Sequence, residues 1–73
     1  MVEVRLFAGL REGRQKVCYM QPHAVKTVQD IMDALNIQRS EVNILLINGF
    51  HQKPETEVKD EDVVSLFPAV GGG

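Results

Sequence analysis

Chemistry in this chain is concentrated at its end, Val63-Val64-Ser65-Leu66-Phe67-Pro68-Ala69-Val70-Gly71-Gly72-Gly73. A hydrophobic strand runs into a proline and then into three glycines, the last of which carries the acyl terminus. Glycine loses the most conformational freedom on ordering and has no side chain to bury, so the tail is expected to stay outside the core. From Pro68 to Gly73 the extended reach is at most roughly 20 Å, at about 3.3–3.6 Å per residue. That length suffices to put a carboxylate deep inside the active site of another protein. The remaining reactive side chains form no competing site. Cys18 stands alone and reads as a small core hydrophobe, with nothing beside it to depress its pKa. His23 and His51 are not accompanied by ligands at zinc-site spacing. No triad, phosphate loop or carboxylate pair is recognisable, so the chain is expected not to be an enzyme by itself.

A body must hold this tail, and 73 residues make one small domain, near the lower limit for a core without staples. Its net stability is expected at about 4–11 kcal/mol, from roughly 0.05–0.15 kcal/mol per residue. The net charge of −2 and the lack of a basic tract argue against nucleic acid as a partner. One cysteine cannot form an internal disulfide, which suits a reducing compartment. Nothing resembles a signal peptide or a membrane span, so a cytoplasmic protein without membrane contact is expected.

Val2 to Ala8 alternates apolar and polar residues and reads as a strand, with Val2, Val4, Leu6 and Ala8 facing the core. Phe7 then falls on the opposite face beside Glu3 and Arg5. Gly9 to Arg14 reads as a polar loop, and Lys16 to Gln21 as the second arm of a hairpin, its buried face undetermined by the pattern. Thr27 is a good N-cap with Asp30 three residues on, although Glu or Gln would complete a capping box better. Val28, Ile31, Met32 and Leu35 make one apolar stripe on a helix of ten or so residues, with Gln29, Asp30 and Asp33 towards solvent; Asn36 is a left-handed stop. A short helical turn at Ser40–Val42 precedes a third strand, Asn43 to Asn48. Asn48-Gly49 is a hairpin turn into a short strand, Phe50 to Lys53. Glu55 to Asp62 is a charged connection, and Val63 to Phe67 is the last strand. One helix covers only one face of such a sheet, so the fold class is α+β in two layers. A helical crossover between strands two and three would allow parallel pairing and a mixed sheet.

This element order, ending in an exposed strand and a Gly-Gly tail, resembles the ubiquitin-like β-grasp proteins. Within them the chain most resembles the MoaD/ThiS sulfur carriers, and MoaD-like small subunits of molybdopterin synthase in particular. Three stretches carry the likeness: Val4-Arg5-Leu6-Phe7-Ala8-Gly9-Leu10-Arg11-Glu12, Ile47-Asn48-Gly49, and Asp60-Glu61-Asp62-Val63-Val64 leading to Phe67-Pro68-Ala69-Val70-Gly71-Gly72-Gly73. Ala69 and Gly71 depart from the usual Phe-Pro-Pro-Val-Ala/Ser-Gly-Gly tail, and the chain is short for that branch, which leaves the pathway open.

The resemblance implies a β-grasp domain over residues 1–67, with four to five strands on one main helix, and a flexible tail over 68–73. It implies an E1-like enzyme that uses ATP to adenylate Gly73, a sulfur donor that converts the adenylate to a thiocarboxylate, and a synthase large subunit that receives the sulfur for molybdenum or tungsten cofactor biosynthesis. Gly72 and Gly73 would carry the reaction, and Gly71, Val70 and Pro68 would guide the tail. Phe7 and Phe67 would dock partners with Arg11 as the flanking charge, and the cluster Glu55, Glu57, Asp60, Glu61 and Asp62 would steer towards a basic surface. No cofactor or metal is expected on the carrier itself. Sulfur supply to thiamine or another metabolite, conjugation of Gly73 to proteins, and an inert interaction domain remain open as alternatives.

Overall fold

The computed structural model describes residues 1–69. Strand β1, Val2–Leu6, follows its alternation: Val2, Val4 and Leu6 are buried, while Arg5 is exposed. The expected inward position of Ala8 is not met. The chain leaves the strand at Phe7, Ala8 takes a left-handed φ of 51°, and a 3-10 turn, Ala8–Arg11, begins there. Ala8 is thereby exposed, and Leu10 is rolled into the core in its place. Strand β2, Val17–Met20, pairs antiparallel with β1, and Cys18 and Met20 pack against the core side.

Helix α1, Val28–Ala34, is shorter than the stripe suggested. Its start is a complete capping box despite the short aspartate. Thr27 Oγ1 accepts from Asp30 N at 3.3 Å, and the Asp30 carboxylate accepts from Thr27 N at 3.1 Å and Lys26 N at 2.9 Å. Val28, Ile31 and Met32 are fully buried against the sheet. Asn36, at φ 58°, ends the helix as its type suggests. Ile37 N donates to Met32 O at 2.8 Å and Asn36 N to Asp33 O at 3.1 Å. These two bonds are the Schellman pair that closes a helix on a left-handed residue.

A 3-10 turn, Arg39–Glu41, leads into β3, Val42–Ile47. Asn48 and Gly49, at φ 53° and 87°, turn it into β4, Phe50–His51, as a two-residue type I′ turn requires. The last strand, β5, is Val63–Pro68; it runs one residue past the expected end at Phe67, with Pro68 opposite Val42. The five-stranded sheet has the order β2-β1-β5-β3-β4. It is mixed, but not through strands two and three. The parallel pair is β1 with β5, because the helical crossover carries the chain past the centre of the sheet and leaves that place to β5. Val64 and Leu66 of β5 are fully buried there beside Val4 and Leu6. This is the ubiquitin-like β-grasp fold.

Candidate docking face and carrier tail

Helix α1 covers the face of the sheet that carries Val2, Val4, Leu6, Val64 and Leu66. Alternation sends Glu3, Arg5, Val63, Ser65 and Phe67 to the other face, and Phe7 joins them as β1 ends. The parallel register sets Leu6 beside Leu66, and Phe7 N donates to Leu66 O at 3.2 Å. Phe7 and Phe67 are thereby brought into a stack, with centroids 4.2 Å apart and planes 11° from parallel. Arg11 comes over the pair from the 3-10 turn. Its Nε donates to Leu6 O at 2.8 Å, and its guanidinium carbon stands 5.6 Å from the Phe7 centroid. A backbone bond and a cation–π contact thus fix an otherwise exposed side chain.

Beside the stack, a groove of about 360 Å³ is lined by Phe7, Gly9, Ile44, Phe67, Pro68 and Ala69. It sits where β5 gives way to the tail. The structure therefore gathers Phe7, Arg11, Phe67 and Pro68 at one place, while Val70, Gly71, Gly72 and Gly73 lie outside the described residues. Ile44 was not singled out by the sequence reading, yet it pairs with Phe67 across the sheet. The signal was present: Asn43 to Asn48 is apolar at both alternating sets, so Leu45 and Ile47 face the helix and Ile44 and Leu46 face the other way.

Four of the five carboxylates in the acidic cluster have local partners. Glu55 pairs with Arg39 at 2.7 Å, and its pKa is lowered by its own backbone N–H and then by Arg39. Asp60 and Glu61 contact the Met1 amine, and Asp62 accepts from Asn48 Nδ2 at 3.0 Å and Lys59 N at 2.8 Å. Cys18 is partly buried, which raises its thiol pKa and disfavours the reactive thiolate. Among the described residues no cluster of three or more side chains could hold a metal, and no helix is long and apolar enough to cross a membrane.

Residues 4–73 match the ThiS family. The chain belongs to that family. Among curated proteins nothing matches. Of the solved structures similar to this ThiS-family chain, SAMP1 from Haloferax volcanii (small archaeal modifier protein 1) is 26% identical, with 99% of this chain and 98% of that one covered and a TM-score of 0.75. A protein assigned as molybdopterin converting factor subunit 1 from Pyrococcus furiosus is 25% identical, with 94% and 97% covered and a TM-score of 0.70. A chain of the complex of subunits 1 and 2 of molybdopterin-converting factor from Helicobacter pylori is 24% identical, with 99% and 97% covered and a TM-score of 0.66; it shares the fold. The ThiS-family chain is thus a small ubiquitin-like sulfur carrier of the ThiS/MoaD type.

Proposed function

We propose that the chain carries sulfur as a thiocarboxylate on Gly73 and donates it in molybdopterin biosynthesis, as the small subunit of the synthase. The observation that carries this reading is the placement of the stacked Phe7–Phe67 pair, under Arg11, at the point where β5 hands the chain to the glycine tail. A partner seated on that patch would receive the tail directly into its active site. The family match extends through Gly73, and the likeness to a protein assigned as molybdopterin converting factor subunit 1 supports the pathway.

A carboxylate resists attack because its charge repels nucleophiles and its oxide does not leave. In the proposed sequence a Gly73 carboxylate oxygen attacks the α-phosphorus of ATP on an E1-like enzyme, and pyrophosphate departs. Hydrosulfide-level sulfur from a donor then attacks the acyl carbon, and AMP leaves with the former carboxylate oxygen. Glycine at Gly73 removes bulk beside the acyl carbon, and at Gly71 and Gly72 it lets the backbone thread a narrow channel. Phe7, Arg11, Phe67, Pro68 and Val70 bind and orient. The partner supplies the catalytic groups, and the carrier supplies position. The carrier holds no cofactor in this scheme; ATP belongs to the activating enzyme. Cytoplasm is the compartment this chemistry fits.

The test is intact mass after incubation with an E1-like enzyme of this family, ATP and sulfide. A gain of about 16 Da, sulfur for oxygen at the terminus, is expected, and the loaded protein should then support pterin dithiolene formation with a synthase large subunit. No mass gain would overturn the thiocarboxylate at Gly73, and a mass gain without pterin product would overturn the pathway. The likeness to SAMP1 favours a second use, in which the activated Gly73 acylates lysines of target proteins. Glycine remnants on lysines in digests of cells expressing the chain would establish that use.

A further inference from the structure

We propose that the groove over β1 and β2, on the face left open by the helix, is a docking subsite for an acidic segment with an apolar side chain on a partner protein. The groove, of about 490 Å³, is lined chiefly by Arg5, Phe7, Arg11, Lys16, Val17 and Tyr19. Its floor is apolar or aromatic, and its rim is basic. Tyr19 is 60% exposed on an edge strand, where an unburied aromatic is a residue type that dominates binding energy rather than folding. Among the described residues the only carboxylate at the rim, Glu3, is already paired with Arg5. Among the described residues, Lys16 makes no ion pair, and Arg11 uses Nε on a carbonyl and meets no carboxylate.

Charge complementarity decides the occupant. The chain is acidic overall, yet residues 1–21 hold four basic and two acidic side chains, against four basic and eight acidic in the remainder. With Arg5 paired to Glu3, it is Arg11 and Lys16 that leave the rim positive, a local reversal of the molecule's own sign. A nucleic acid would meet the acidic remainder, and a bare phosphate would leave the apolar floor uncovered. A peptide segment with carboxylates flanking an apolar side chain satisfies both. Phe7 and Arg11 belong to this groove and to the stacked patch at the tail root, so one partner could cover both without a gap. The inference rests on the reading of this face as the one that meets partners, and adds the chemistry of what lies on its β2 side.

The experiment is an amide chemical-shift titration of the full-length, uniformly ¹⁵N-labelled chain. The probe is the capped peptide Asp-Glu-Leu-Asp-Glu, with Asn-Gln-Leu-Asn-Gln and inorganic phosphate as controls. Shifts should cluster at Arg5, Phe7, Arg11, Lys16, Val17 and Tyr19 with the acidic peptide only, and weaken as salt shortens the screening length. Lys16→Glu should weaken binding about fivefold, whereas Lys53→Glu should not. Equal shifts with the neutral peptide or with phosphate, shifts elsewhere, or no shifts at millimolar peptide would each overturn the proposal. The titration does not involve Gly73, so its failure leaves thiocarboxylate formation standing, and absence of the thiocarboxylate leaves the titration unaffected.

Discussion

Arg14 directs its whole guanidinium at backbone carbonyls. Nε donates to Leu35 O at 3.0 Å, Nη1 to Leu10 O at 3.2 Å and Nη2 to Asn36 O at 3.0 Å. The Leu35 and Asn36 carbonyls belong to the end of α1, where intrahelical donors have run out, and α1 has no basic residue in its own last turn. The Leu10 carbonyl belongs to the 3-10 turn that carries Arg11. One side chain therefore ties the loop beside the aromatic stack to the end of the helix. Arg14→Met should lower the unfolding free energy by about 1.5 kcal/mol, the low end for bonds to a charged donor because the site is part-exposed. Arg14→Lys should recover only part of this, since an ammonium cannot present the same planar fork. Urea unfolding, with a shifted midpoint and unchanged slope, is the measurement. An unchanged midpoint in Arg14→Met would show that the three bonds contribute nothing net.

At the scale of elements, the start of α1 is the place where sequence and structure agree most fully and where acid should act. The Asp30 carboxylate is held below its ordinary value of 3.8, first by the Lys26 N–H and then by the Thr27 N–H. A carboxyl whose folded pKa is depressed contributes stability that is present above 3.8 and is lost as pH falls through the folded value. Thr27→Ala should cost about 1 kcal/mol at neutral pH, and Asp30→Asn should flatten the fall in melting temperature below pH 3.8. A melting profile in acid that is identical for Asp30→Asn and the parent would contradict this. The cap, the Asn36 stop and the Asn48-Gly49 turn were legible because each depends on residues within a few positions. Leu10 and Val58 were not: both lie in polar stretches, and only the tertiary fold brings them against the core. The parallel β1–β5 pair was also hidden, since it joins strands about 60 residues apart and periodicity carries no information about which strands meet. For the candidate site, Phe7 was legible as an aromatic on the wrong face of its strand. Ile44, which pairs with Phe67, was masked by the uniform apolar run around it.

The whole molecule divides into a body that folds and an end proposed to react, and the division can be tested without any partner. Every buried apolar residue among the described ones lies between Val2 and Leu66, and together they form one cluster between helix and sheet. Pro68 still lies opposite Val42 at the end of β5, so a cut before it would disturb the end of the β3–β5 pairing. A cut after Ala69 leaves every described strand pairing and core contact in place. Removing residues 70–73 should therefore leave the thermal midpoint within about 1 °C of the full-length chain, since unfolding free energy follows buried area and a domain of this size shifts by roughly 4–8 °C per kcal/mol. The same truncation should abolish the mass gain on incubation with activating enzyme, ATP and sulfide. Its backbone amide spectrum should superimpose on that of the parent at Phe7, Arg11 and Phe67, which would separate loss of the reacting acyl terminus from loss of the docking patch. A drop of several degrees would mean that the four residues contribute to the body, and the picture of a body with a separable reacting end would then fail.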